Sequence, residues 1–241
     1  MRLLVSVAGP SEARAALAGG ADVIDAKDPH RGALGAVRSG VLSAIRKAVG
    51  TTRPLSVALG DLVFQSEALL AHRAAAAAAL GAAFVKVGFG GTAHETRARR
   101  LASAVGRAVG DLTQVVLVAY ADWQRTESLH PDAILALATG TGAAGVLLDT
   151  AVKTRSLFAI LHHETVGAWV AAAHAAGLFA GLAGSLDGKH FAVARALDAD
   201  LVGVRGAACV GGRTGRVSAA RVAELSALAR AAPFAASAAL V

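Results

Sequence analysis

Along the chain, a short apolar run rich in β-formers, a loop rich in Gly, Asp, Ser and Pro, and an Ala-rich stretch of helical character follow one another eight times. The apolar runs occupy residues 3–7, 23–27, 55–59, 84–88, 115–120, 145–150, 179–184 and 201–206. The helical stretches occupy 11–19, 39–49, 67–80, 95–109, 131–140, 165–176, 187–198 and 217–231. Ser11 and Ser39 stand where N-caps are expected, Pro131 suits a first turn, and Gly50 and Gly177 follow last turns. The phrases AGGADVIDAK, ALGAAFVKVG and ALDADLVGVRG share one design: a helix end, a tight turn and the next strand. The repeat is therefore structural, not an array of domains. Eight such units predict an α/β fold of the TIM (β/α)8 barrel type, one domain over residues 1–232 with a tail at 233–241. An open doubly wound sheet alternates in the same way, but the count of eight argues against it. So does Val7-Ala8-Gly9-Pro10-Ser11 where that fold would carry G-x-G-x-x-G.

In such a barrel the working face is formed by the C-terminal strand ends and the loops after them. The polar residues there are Ser6, Asp25, Lys27, Asp61, Lys86, Tyr120, Asp122, Asp149, Lys153, Ser185 and Arg205. Strand alternation turns Asp25 and Lys27 inward together, with Ile24 and Ala26 toward the helices, and turns Lys86 inward between outward Val85 and Val87. An inward lysine is partly desolvated, which is costly for an ammonium ion, and each of the two raises the energy of the other's cation. At least one lysine pKa is expected to fall, giving the neutral amine that attacks a carbonyl. Asp25, Asp61 and Asp149 can balance the remaining charge and shuttle protons. The same groups would serve equally as a structural ion-pair network filling the barrel mouth, and residue types alone leave that alternative open. The loops after the seventh and eighth runs, Ala183-Gly184-Ser185-Leu186 and Arg205-Gly206-Ala207-Ala208, suit a phosphate group. Glycine permits close backbone approach, Ser185 can donate a hydrogen bond and Arg205 adds charge. Glycine also simply ends strands, so this signal depends on its barrel context.

Apolar residues make up 55% of the 241, mostly Ala, Val and Leu, which suits closely packed helices and strands. Lys plus Arg number 24 against 17 Asp plus Glu, and the net charge of +7 favours anionic partners. The basic residues are scattered, with no aromatic-interleaved stripe, so a small phosphorylated aldehyde is the expected partner and nucleic acid is not. No apolar run reaches the roughly 20 residues of a membrane span. The opening Met1-Arg2-Leu3 leads straight into a strand and leaves no room for a secretory signal, so a cytoplasmic location is expected. The single Cys209 can form no internal disulfide and reads as a small buried residue. His162-His163 lack metal-ligand spacing, and neither a metal nor an organic cofactor is called for. His30 follows Lys27 closely and suits either a substrate neighbour or an exposed loop residue. The oligomeric state is not encoded in any pattern here; a homo-oligomer is compatible.

Taken together, GGADVIDAKDPHRGALGA at 19–36, ALGDL at 58–62, FVKVG at 84–88, YAD at 120–122, LLDTAVK at 147–153, LAGSL at 182–186 and DLVGVRGAAC at 200–209 resemble the (5-formylfuran-3-yl)methyl phosphate synthase family. The resemblance runs in order through about the first 220 residues. It implies a barrel enzyme that condenses two molecules of glyceraldehyde 3-phosphate, with loss of one phosphate and two waters, into a furan precursor of methanofuran-type cofactors. It places the Schiff-base lysine at Lys27 and a proton-transfer lysine at Lys86, and it puts Asp25, Asp149 and Lys153 on polar positions of the same site. Ser6, Asp61, Gly184, Ser185, Arg205, Gly206 and Ala207 are the candidates for binding the substrate and its phosphate, the glycines and Ala207 through their backbone. An ordinary Schiff-base aldolase acting on phosphosugars is the alternative enzyme, and a non-catalytic domain binding anions or nucleic acid is the alternative outside enzymes.

Overall fold

The computed structural model describes residues 1–61 and 65–231, so the tail predicted at 233–241 lies outside the described residues. Eight strands close into a barrel in chain order: β1 (Arg2–Val7), β2 (Val23–Ala26), β3 (Leu55–Asp61), β4 (Phe84–Gly88), β5 (Gln114–Tyr120), β6 (Gly145–Asp149), β7 (Phe179–Leu182) and β8 (Leu201–Val204). Every ladder of the barrel is parallel, and β1 pairs with β8 to complete the ring. The helices α1 (Pro10–Ala18), α2 (Ser39–Val49), α3 (Glu67–Ala79), α4 (Glu95–Val109), α5 (Pro131–Thr141), α6 (His163–Ala175), α7 (Phe191–Ala196) and α8 (Ala219–Arg230) form the outer layer. Between β8 and α8 a small antiparallel hairpin, β9 (Cys209–Val210) and β10 (Arg216–Val217), projects over the barrel mouth.

Two apolar layers follow from the alternation of each strand. Outward residues such as Ile24, Val85, Val87 and Leu148 pack against helix faces, as Leu42, Ile45 and Val49 of α2 do at helical spacing. Inward residues, among them Leu4, Val116, Val118 and Leu147, fill the barrel itself. Cys209 is a free, buried thiol, and no helix of the described residues is long and apolar enough to cross a membrane.

The differences from the sequence reading are local. Ser11 is not the cap of α1: Gly9 is, because Pro10, which has no N–H to satisfy and a preset φ, takes the first helical position. Ser39 is likewise the first helical residue, after an extended Arg38. Pro131 opens α5, and Gly50 and Gly177 follow α2 and α6 as expected. The stretch 187–198 is broken by the capping box of Asp187 and His190 into a 3-10 turn, Gly188–His190, and a short α7. A register shift between Ala58 and Asp61 carries β3 two residues past its expected end. β2 stops at Ala26, so Lys27 is the first loop residue, although its N–H still donates to the Val7 carbonyl at 3.0 Å.

Candidate active site

Phe179 and Leu201 fill the barrel interior low on β7 and β8, but toward the C-terminal ends of these strands the inward positions carry almost no side chain. Gly203 faces inward, and Ala183 continues the β7 face just beyond the strand, so one side of the barrel mouth is left open. The result is a cavity of about 370 Å³ at the C-terminal end, lined by Lys27, Lys86, Asp149 and Lys153 on one side and by Ser185, Gly206 and Arg213 on the other. These residues arrive from different strands, as expected where a parallel barrel builds a site.

On the charged side, three lysines meet two carboxylates. Lys86 Nζ donates to Asp25 Oδ2 at 2.7 Å, and the same oxygen accepts the Ser6 hydroxyl at 2.8 Å. Asp25 is fully buried, and its Oδ1 has no partner among the described residues. Lys153 Nζ donates to Asp149 Oδ1 at 2.7 Å and also reaches the Thr150 carbonyl, while the Thr150 N–H adds a bond of 2.7 Å to Asp149. Lys27 is only 7% exposed and has no carboxylate within ion-pair distance among the described residues. Burial pushes its pKa down from 10.5 to about 7; Asp149 and Asp25 pull it up, while Lys153 and Lys86 push it further down. Burial opposes the charge of Asp25 and Asp149 too, yet Lys86 and Lys27 hold the first, and Lys153 and Lys27 the second, below the usual carboxylate value. With its pKa lowered to about 7, Lys27 has a substantial neutral fraction near neutral pH, and that amine can add to a carbonyl while its two ion-paired neighbours handle protons.

The remaining candidates divide. Asp61 lies at the end of β3, where its Oδ1 accepts the Tyr120 hydroxyl at 2.6 Å and the Gly90 N–H at 3.3 Å. Burial raises its pKa, and it is not among the residues lining the cavity with Lys27. Ser185 is exposed, adopts a left-handed backbone (φ 51), and donates from its hydroxyl to the Lys153 carbonyl at 3.1 Å, joining the loops after β6 and β7. Gly184 before it has φ 99, and a Cβ there would meet Thr150 Cγ2 at 2.8 Å, so only glycine lets these loops touch. The N–H groups of Ser185, Gly206 and Ala207 have no acceptor among the described residues and border the cavity. Arg205 also borders it, but all five of its N–H groups are engaged: Nε with the Arg213 carbonyl, Nη1 with the Ser6 carbonyl and Glu12, and Nη2 with Glu12 and the Gly215 carbonyl. His30 is an exposed loop residue, and His162 and His163 sit at the start of α6.

Three further residues matter to this geometry: Asp122, expected at the working face but given no role there, and Glu12 and Arg213, which carry no sequence signal as members of the site. Asp122 accepts the N–H groups of Ala151 and Val152 at 2.7 and 2.8 Å and so fixes the loop that bears Lys153. Glu12, on α1, neutralises Arg205 at 2.9 Å. Arg213 reaches in from the β9–β10 hairpin. Asp122 stands in the YAD motif, which marks its place but not its partners; the other two lie in stretches with no motif at all.

The sequence profile of the 4-HFC-P synthase family matches residues 3–226. The chain is 40% identical over 219 residues to the (5-formylfuran-3-yl)methyl phosphate synthase of Methanopyrus kandleri, covering 89% of this chain and 92% of that one. It is 37% identical over 234 residues to the protein of that name from Methanocaldococcus jannaschii, covering 95% and 99%. Among solved structures it is similar to phosphoribosyl anthranilate isomerase from Thermus thermophilus, with a TM-score of 0.62 at 17% identity over 95% of this chain and 98% of the other. KGPDC from Streptococcus mutans is similar at a TM-score of 0.60 and 15% identity, covering 95% and 99%. At those identities the likeness speaks for the barrel fold alone.

Proposed function

This chain belongs to the 4-HFC-P synthase family, an enzyme family whose relatives are named for making a furan phosphate, and on that premise we propose that it condenses two molecules of glyceraldehyde 3-phosphate through a Schiff base on Lys27. The observation that carries this reading is the state of Lys27: buried at the cavity wall, free of an ion pair among the described residues, and held near neutrality at about 7 while the two lysines around it are bonded to carboxylates.

The neutral Nζ attacks the aldehyde carbon, and loss of water leaves a protonated imine. That cation acidifies the adjacent C–H; a base removes the proton and the electron pair forms an enamine, whose carbon attacks the second aldehyde and makes the new C–C bond. Lys86, which lines the cavity, and the fully buried Asp25 bonded behind it take and return protons on one side of the imine, Asp25 acting through Lys86. Lys153 and Asp149 do so on the other. Two dehydrations, loss of one phosphate as leaving group and release of the lysine complete a furan that keeps one phosphate. The unengaged N–H groups of Ser185, Gly206 and Ala207 receive a phosphate at the other side of the cavity, where barrels commonly hold one. The test is incubation of the purified protein with glyceraldehyde 3-phosphate, following inorganic phosphate and the furan chromophore. Both are expected from the wild type and neither from Lys27→Ala; phosphate release without a furan would defeat the reading.

A further inference from the structure

The loop after β8 offers two arginines to the cavity, and their surroundings differ sharply. Arg205 is 6% exposed, has every N–H engaged, and is neutralised by Glu12 through contacts of 2.9 and 3.3 Å. It binds β1, α1 and the hairpin together and has no donor left for a ligand. Arg213 stands at the tip of the β9–β10 hairpin, and its position is set by backbone. Gly211 and Gly212 have φ of 84 and 75, and a Cβ at Gly215 would lie 1.9 Å from the Val210 carbonyl oxygen, so the turn closes only on glycine. The Arg213 carbonyl accepts Arg205 Nε at 2.7 Å, which couples the rigid arginine to the reaching one. The Arg213 backbone lies against Gly206, since a Cβ built there would sit 3.7 Å from the Arg213 nitrogen. Its guanidinium crosses to the loop after Lys27, donating from Nη1 to the Pro29 carbonyl at 2.5 Å and from Nη2 to the Gly32 carbonyl at 2.7 Å. Three N–H directions remain, and no carboxylate lies within ion-pair distance among the described residues.

We propose that Arg213, and not Arg205, is the side chain that recognises the phosphate monoester of the substrate bound in this cavity. The inference rests on the proposed function for its substrate class. An un-neutralised planar fork borders the same cavity as the free N–H groups of Gly206, Ala207 and Ser185. Together they form a cradle of backbone donors and one bidentate cation, which suits a phosphate dianion and has no use for an uncharged aldehyde. Because the same guanidinium ties down the loop after Lys27, filling the cradle also steadies the nucleophile's loop.

The experiment has two arms, run on wild type, Arg213→Lys and Arg213→Ala, with thermal melting to confirm folding. In the first, inorganic phosphate is titrated calorimetrically; Arg213→Ala is expected to weaken binding by about 10- to 100-fold, the equivalent of losing one or two charge-assisted hydrogen bonds, with Arg213→Lys between the two. In the second, borohydride trapping at Lys27 compares glyceraldehyde 3-phosphate with glyceraldehyde; the loss in Arg213→Ala is expected for the phosphorylated aldehyde only. Equal phosphate affinity in wild type and Arg213→Ala, no phosphate binding by the wild type, or an equal loss of trapping for both aldehydes would overturn the proposal. Arg213-dependent phosphate binding without any trapped adduct would instead uphold it while removing the Schiff-base reading, so the two fail separately.

Discussion

If burial is what makes Lys27 a nucleophile, then the folded protein is less stable for having it, and Lys27→Met should stabilise the fold. The folded group titrates at about 7 and an unfolded lysine at 10.5. Each pH unit between those values corresponds to about 1.4 kcal/mol, so the penalty approaches about 5 kcal/mol well below neutrality, where both states carry the proton, and is about 4 kcal/mol at pH 7. Between the two values the unfolded chain holds more protons than the folded one. Wild-type stability must therefore rise with pH across that window, and the penalty is gone once pH passes the unfolded value. A methionine fills a similar volume without the charge. The variant is expected to exceed the wild type by up to about 4 kcal/mol at pH 7, or about 8 to 16 °C in melting temperature for a chain of this size, with the gap closing toward about pH 10. Water reaching Nζ through the cavity mouth reduces the magnitude but not the sign. Calorimetric melting of both proteins from about pH 6 to about pH 10 measures it. A Lys27→Met protein no more stable than wild type at neutral pH, or a gap indifferent to pH, would refute the claim that desolvation keeps this amine neutral.

Three further outcomes follow from the same geometry. Lys86→Ala removes a cation near Lys27 and frees Asp25, both of which raise the Lys27 pKa, so turnover should be lost while borohydride-trapped adduct at Lys27 still forms, with its pH midpoint moved upward in intact-mass measurements. Asp122→Ala releases the Ala151 and Val152 amides; it should cost about 3 kcal/mol in urea unfolding and lower kcat more than it raises KM, because Lys153 loses its support. Glu12→Gln leaves the buried Arg205 charge without its partner and should destabilise the protein by about 3 kcal/mol in the same assay.

The barrel was legible in the sequence because each unit repeats the same physical demand: a strand buried on both faces, then a turn, then a helix with one apolar side. Strand parity carries that legibility into the site, since Asp25 and Lys86 occupy interior positions that follow from alternation alone, and Lys27 continues the β2 alternation one residue past its end. Parity does not say which groups pair. Asp25 and Asp61 look alike as carboxylates near strand ends, yet the register shift in β3 leaves Asp61 under Tyr120 while Asp25 bonds Lys86. The two arginines show the limit more plainly. Arg205 stands at the expected place, but its charge is neutralised by a glutamate 193 residues away in sequence and its other donors go to backbone carbonyls, and no local pattern contains that fact. Arg213 reaches the cavity only because a hairpin too short to register as strands folds back over the mouth.

The arrangement of charge also reconciles two opposed requirements of the proposed chemistry. Capture needs an uncharged Lys27, whereas the imine that follows must carry a positive charge in the same place. Two carboxylates serve three lysines, and each bonds one of the outer pair, so with Lys27 neutral the cluster carries no net charge and desolvation decides the protonation of the odd amine. Once the imine forms, its nitrogen must keep a proton if the neighbouring C–H is to stay acidic. Asp149 and Asp25, the groups that favour a cation at Lys27, then stabilise the protonated imine without moving. Burial thus sets the ground state and the carboxylates the intermediate, and neither role requires the other to be weakened.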